Sequence, residues 1–222
     1  MVESKAWDWQ KVKGDHEKYW LEPDMVVYYL TDRWQKNDKK IFLDLGCGLG
    51  RHINFFAKQG FKTSGFDLSD DAINRARDYA ASENLDVDFK VGDMLNLPYA
   101  DESFNAILCM NVISHTDTDG MRKIIDELYR VLEKDGECYF TLGSKDTWGF
   151  KQDWPVVDEN TKLRQENGPE NNIPHFYADY DLIYELFNNK FDILKIFQRT
   201  DYHFVKGKRG ESVHWHCLVK KK

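Results

Sequence analysis

The run Leu43-Asp44-Leu45-Gly46-Cys47-Gly48-Leu49-Gly50-Arg51 places three alternate glycines directly behind a short apolar stretch. Glycine has no Cβ and tolerates positive φ. Such a turn can therefore wrap a nucleoside closely while amide N–H groups at the start of the next helix face an anionic group. Asp67 stands 21 positions beyond Gly46. A carboxylate there, at the end of the following strand, can accept hydrogen bonds from both vicinal hydroxyls of a ribose. Asp93, in Val91-Gly92-Asp93-Met94, is placed to accept from an exocyclic amine while Met94 covers an adenine face. The spacing argues against a dinucleotide. Loops that bring a helix N-terminus against a pyrophosphate use glycine at the first, third and sixth positions. Here glycine takes the fifth, Gly50, and the sixth is the bulky Arg51.

Residues 40 to 142 alternate β-rich runs with helical patterns, the sign of parallel strands joined by crossover helices. Ile41 to Leu45 and Lys62 to Asp67 read as the first two strands. Between them lies a helix with Ile53, Phe56 and Ala57 on one face and Gly60 as its stop. Ser69 caps a second helix whose Ala72, Ile73, Ala76, Tyr79 and Ala80 form one stripe. Asp86 to Val91 alternates as a third strand. Phe104 to Met110 is apolar throughout, as a central strand covered on both faces should be. A helix capped by Asp117 or Asp119 then presents Met121, Ile124, Ile125, Leu128, Val131 and Leu132 and is expected to end at Gly136, before a strand from Glu137 to Leu142. Residues 143 to 178 lose periodicity and gather aromatics, the mark of a binding loop or lid. A helix around 179 to 189 and two closing strands, 191 to 198 and 212 to 219, complete the chain. The first 38 residues read as amphipathic helix, with Trp20, Met25, Val26, Tyr29 and Leu30 available for packing.

The chain has 222 residues with 31 Lys plus Arg against 38 Asp plus Glu, a formal charge of −7. An acidic protein is a poor match for nonspecific nucleic-acid binding, which needs a basic face. At 41% hydrophobic and 31% charged the composition fits one globular core rather than disorder. No apolar run approaches the ~20 residues of a membrane span, and the N-terminus lacks a signal-like apolar region. The expected location is cytoplasmic. Cys47, Cys109, Cys138 and Cys217 form no Cys-x-x-Cys pair, and buried free thiols are expected.

Five features, taken in order, resemble the class I S-adenosylmethionine-dependent methyltransferases of the small-molecule or tellurite-resistance type. They are the glycine loop with its leading Asp44, the acidic strand end at Gly65-Phe66-Asp67-Leu68, and the step Gly92-Asp93-Met94. The strand ending in Asn111-Val112-Ile113-Ser114-His115 and the run Leu132-Glu133-Lys134-Asp135-Gly136 complete the set. The resemblance implies an α/β Rossmann-like fold with a seven-stranded, mostly parallel sheet in the order 3-2-1-4-5-7-6, strand seven antiparallel, and helices on both faces. It implies one domain over 1–222, divided into a helical cover (1–38), a cofactor-binding core (39–142), an acceptor-side insertion or lid (143–178) and a closing helix with strands (179–222). S-adenosylmethionine is the implied cofactor. Its binding residues would be Asp44, Gly46, Cys47, Gly48, Gly50 and Arg51 at the loop, Asp67 with Leu68, Asp93 with Met94, and Met110 with Asn111.

Methyl transfer from a sulfonium is dominated by positioning, so catalytic residues are few. His115, beyond the fourth strand, is the candidate base or orienting group. Tyr19 is the second catalytic candidate, with Trp20 beside it as cover next to the sulfonium. Trp148, Trp154, His175 and Tyr177 are candidates to line an acceptor pocket. His214-Trp215-His216-Cys217 reads as a strand rather than a metal motif, and no metal is expected. The Asn-Pro-Pro-Tyr type of segment used on nucleic-acid bases is absent, so a small-molecule acceptor and a monomer or homodimer are expected. Two rivals are a non-catalytic module that binds the same cofactor and a nicotinamide-dependent oxidoreductase.

Overall fold

The structure, a computed structural model, describes residues 2–205 and 208–222, excluding the side chains at 15, 16, 203–205, 208 and 209. Its elements in chain order are α1 (Asp15–Tyr19), α2 (Val26–Lys36), β1 (Ile41–Leu45), α3 (Arg51–Lys58), β2 (Lys62–Asp67), α4 (Asp70–Ser82), β3 (Val87–Val91), β4 (Phe104–Cys109), α5 (Thr118–Val131), β5 (Leu132–Ser144), β6 (Val156–Asp158), β7 (Thr161–Leu163), β8 (Pro174–Ala178), α6 (Tyr180–Phe187), β9 (Phe191–Val205) and β10 (Lys208–Lys221).

Successive residues of a strand face opposite ways, and the central strands feed two cores by that rule. Leu43, Ile107 and Phe140 point to the layer built on α5 and α6. Their neighbours Phe42, Leu108 and Tyr139 point to the layer built on α2, α3 and α4. Apolar residues on both faces force helices onto both faces, which in turn requires parallel crossovers. β1 accordingly runs parallel between β2 and β4, with β3 outside β2 and β5 outside β4. β10 is antiparallel to β5 and carries β9 on its far edge. In order of chain appearance these seven strands run 3-2-1-4-5-7-6, as expected.

Three expectations are corrected. The 143–178 segment is not irregular throughout. It forms the short antiparallel strands β6, β7 and β8, and β8 extends the end of β5 in parallel through Gly143 and Ser144. The helix before β5 stops at Val131, not Gly136. Leu132 is already extended, and residues 133–136 bulge out of the pairing between Phe104/Leu132 and Ala106/Glu137. The N-terminal region is broken into short helices, and α2 buries Val27, Leu30, Thr31 and Trp34 while Met25 and Tyr29 face solvent.

Helix starts follow the side-chain caps. Ser69 Oγ accepts from Ala72 N, Asp117 from Gly120 N and Asp179 from Leu182 N, each contributing about 1 kcal/mol. α2 is held by the buried Glu137, which accepts two hydrogen bonds from Arg33 and one from the Trp34 indole. All four cysteines are free and buried. Among the described residues no helix is long and apolar enough to cross a membrane.

Candidate functional site

The turn after β1 is held open by its glycines. Gly46, Gly48 and Gly50 all have left-handed φ, at 75°, 51° and 89°. Gly46 N and Cys47 N both donate to Phe66 O at the end of β2, which locks the turn against the neighbouring strand. The glycines also permit close packing. A Cβ on Gly46 would lie 2.1 Å from a methyl of Val112, and one on Gly48 would lie 2.7 Å from the Trp9 ring.

Asp67 is tied to this loop. One carboxylate oxygen accepts from Gly48 N and the other from Ser69 N, each at 2.9 Å. Burial raises its pKa, and the three backbone amides around it oppose that shift. Asp93 accepts from Leu95 N, which bends the chain after β3. At the end of β4, Asn111 adopts a φ of 59° and exchanges hydrogen bonds with Thr141.

These ends surround a crevice enclosing about 900 Å³, its open mouth included, within the range of small-molecule sites. It lies off the carboxyl ends of the parallel strands, where open α/β sheets bind ligands. Of the residues singled out in the sequence, Gly46, Cys47, Gly48, Arg51, Asp67, Leu68, Asp93, Met94, Met110, Asn111 and His115 line it. Gly50 sits one step back, as the N-cap of α3. Asp44 is buried behind the loop.

Tyr19 does not reach the crevice. It is 59% exposed and packs its ring beside Arg51 and Trp20. The cover is instead made by Trp7, Trp9 and Trp20, mutually edge-on with ring centroids 4.8 to 5.9 Å apart. Arg51 lies over Trp20 at 4.6 Å, a cation–π contact. Trp7 and Trp9 escaped the sequence reading, although two tryptophans in alternate positions ahead of the first helix were a usable signal. Trp148, Trp154, His175 and Tyr177 do not border the crevice either. Trp148 packs on Trp154, Tyr177 on Phe150, and the insertion contributes Glu170 to the wall instead.

His115 faces Glu170 and His175. Burial, then the nearby His175, pull its pKa down to about 3, so the ring is neutral near pH 7 and a poor proton acceptor.

The site fits a nucleoside carrying an amino-acid tail on the evidence of its orphaned polar atoms. The indole N–H groups of Trp7 and Trp9, both lining the crevice, have no acceptor, and one Asp44 carboxylate oxygen has no donor. Burial raises the Asp44 pKa to about 7, with Arg51 acting in the opposite sense. The folded chain thus keeps a proton that the unfolded chain, with an Asp pKa near 3.8, releases. Stability therefore falls as pH rises from about 4 to about 7, by up to roughly 4 kcal/mol from this group. Asp44→Asn removes that slope. Urea unfolding at pH 4.5 and 7.5 should show a smaller difference for the variant than for the parent chain.

Residues 42–136 match the family model described as "Methyltransferase domain". Over 95 residues the chain is 39% identical to norajmaline N-methyltransferase of Rauvolfia serpentina, a match covering 41% of this chain and 32% of that protein. Over 135 residues it is 31% identical to methyltransferase GfsG of Streptomyces halstedii, covering 54% and 48%. The chain thus spans between about a third and a half of the length of these two relatives. An S-adenosylmethionine-dependent methyltransferase structure from Methanosarcina mazei superposes with a TM-score of 0.71 at 20% identity, covering 90% of this chain and 99% of that one. With the glycine loop, the acid ending β2 and the strand order already in place, these likenesses agree: residues 42–136 are similar to the methyltransferase-domain family, and the chain has the fold of the S-adenosylmethionine-dependent methyltransferases.

Proposed function

We propose that this chain transfers the methyl group of S-adenosylmethionine to a small-molecule acceptor by direct in-line displacement in the crevice behind Trp7, Trp9 and Trp20. The observation that carries this reading is the Asp67 carboxylate, which braces the Gly48 amide while facing the crevice. The bound cofactor supplies a methyl group already activated on a sulfonium sulfur. The chain supplies the rest. Asp67 receives the ribose hydroxyls, and Asp93 with Met94 and Leu68 frames the adenine. Gly46, Cys47 and Gly48 leave the room in which the methionine moiety lies. Arg51, fixed over Trp20, faces the charged end of that moiety, while Asp44 supports the loop from behind. The tryptophan cover excludes water, which strengthens the electrostatic contacts inside and leaves the acceptor as the available nucleophile. His115 closes the acceptor side as an orienting group.

The two curated relatives bear methyltransferase names, one of them for an N-methyltransferase, and a small-molecule acceptor follows that pattern. The fifth-position glycine and the buried Arg51 disfavour the nicotinamide alternative, because the large side chain stands where a pyrophosphate would approach the start of α3. Calorimetric titration with S-adenosylmethionine, its demethylated product and NADH separates the readings. Saturable binding of the first two and none of NADH is expected, and the reverse pattern overturns the proposal. Turnover across a panel of amine, phenol and thiol acceptors then distinguishes an enzyme from a module that only binds.

A further inference from the structure

Three side chains far apart in sequence meet at one edge of the crevice: His115 from the turn after β4 and Glu170 from the segment before β8, which line it, and His175 from β8 behind them. His115 Nε2 is 3.8 Å from one Glu170 oxygen and His175 Nε2 is 3.7 Å from the other. One ligand atom of each lies within 4.8 Å of the others. These separations are too long for hydrogen bonds. The two His–Glu separations are slightly wider than the spacing of ligands around one ion, about 3.4 Å for bonds of about 2.1 Å in a tetrahedron, and the widest pair would draw in by up to about 1.4 Å on binding.

The surroundings of the cluster point the same way. His175 Nδ1 is 3.0 Å from Ile173 O, so in the neutral ring this nitrogen donates and Nε2 turns a lone pair toward the carboxylate. A carboxylate facing that nitrogen is favourable when a proton or a metal cation stands between them. A ring nitrogen anchored on a backbone carbonyl, with its partner free to ligate, is how metal-bound histidines are held. Glu170 is oriented in its turn by an ion pair with Arg164. Arg164 also binds Glu166, so its positive charge is shared between two carboxylates rather than directed wholly at the cluster.

We infer that His115, His175 and Glu170 bind one first-row divalent cation, Zn²⁺ or Fe²⁺, beside the methyl-transfer crevice. Two imidazoles and one carboxylate suit these ions, whereas Mg²⁺ takes oxygen ligands. Because His115 and Glu170 line the crevice, the coordination position left open by three protein ligands faces it. An acceptor carrying an anionic oxygen or a lone-pair nitrogen is the class that position would hold. That last point rests on the proposed function, while binding of the ion does not. The sequence reading, which expected no metal, had no signal to find here. The two histidines are sixty positions apart, and Glu170 sits in a segment without periodicity.

Chelator-stripped protein titrated with Zn²⁺ in a calorimeter tests the inference, with Mg²⁺ in parallel and binding of the demethylated cofactor measured on each sample. One Zn²⁺ per chain is expected, weakened at least tenfold in the near-isosteric Glu170→Gln and in His175→Gln, with no comparable heat from Mg²⁺. Co²⁺ loading should give a visible d–d band that both variants lose. No saturable Zn²⁺ uptake, or uptake and a Co²⁺ band unchanged in both variants, overturns the metal site. If the product cofactor still binds in that case, the methyl-transfer reading stands. If the cofactor fails to bind while Zn²⁺ does, only that reading falls.

Discussion

Asp67→Ala lowers the affinity for S-adenosylmethionine by about a hundredfold or more while leaving the sheet folded. The carboxylate has two tasks that the substitution ends together. In the free protein it accepts from Gly48 N and Ser69 N, which sets the loop before any ligand arrives. Facing the crevice, it also offers its remaining lone pairs to the ribose. Hydrogen bonds to a charged group contribute roughly 1.5–3 kcal/mol each, so losing two gives a change of that size. The fold should survive, because Asp67 lies at the carboxyl end of β2, and the core of that strand rests on Gly65 packing against Ile53 and Phe89 on one face and on Phe66 in the core of the other. Burial without full compensation already raises the Asp67 pKa, so removing the group also relieves a desolvation cost. Calorimetry for binding and circular dichroism for folding check this. Asp67→Asn should fall between, since it keeps one acceptor and loses the charge. Unchanged affinity in the alanine variant would remove the ribose assignment.

Much of the site was legible because its residues obey local rules. Glycines at 46, 48 and 50 announce left-handed backbone, and Asp67 ends a strand at a spacing the loop dictates. Ser69 caps a helix as read, and of the two aspartates offered for the helix before β5 it is Asp117 that caps it. The apolar runs told only that the central strands need cover on both faces, and the strand order came from the family resemblance. What escaped lacks such a period. β6 and β7 are three residues long, too short for alternation to emerge. Leu132 continues the stripe of α5 although it already belongs to β5, and so Gly136 looked like the helix stop. The tryptophan cover and Glu170 come from segments whose conformation is set by what they pack against. Trp9 is held by Gly48 and by α4, where Arg75 donates to its carbonyl. Tyr19, one residue from a lining tryptophan, faces outward because α1 is a single turn. Contacts of this kind join residues about forty to sixty-six positions apart, which no one-dimensional pattern reports.

Gly46→Ala should be the most damaging single substitution in the site, abolishing detectable cofactor binding and lowering stability by roughly 3 kcal/mol or more. Two penalties combine. The backbone at φ 75° is a conformation that L residues rarely adopt, at about 1 kcal/mol for alanine. The new methyl would also sit 2.1, 2.5 and 2.7 Å from the two γ-carbons and the Cβ of Val112, and overpacking of a fixed site adds about 1–3 kcal/mol. Val112 cannot yield easily, because it belongs to the turn that leads from Asn111 to His115 and lines the same crevice. Pushing it away would move both walls at once. The two penalties can be separated. Val112→Gly, placed in the Gly46→Ala background, removes every one of those close atoms but leaves the φ strain. Within the Val112→Gly background the Gly46→Ala step should therefore cost only about 1 kcal/mol of unfolding free energy in urea, against roughly 3 kcal/mol in the parent chain. No cost for that step would mean that the left-handed conformation costs nothing here. An undiminished cost would mean that the loop fails for a reason other than its contact with Val112.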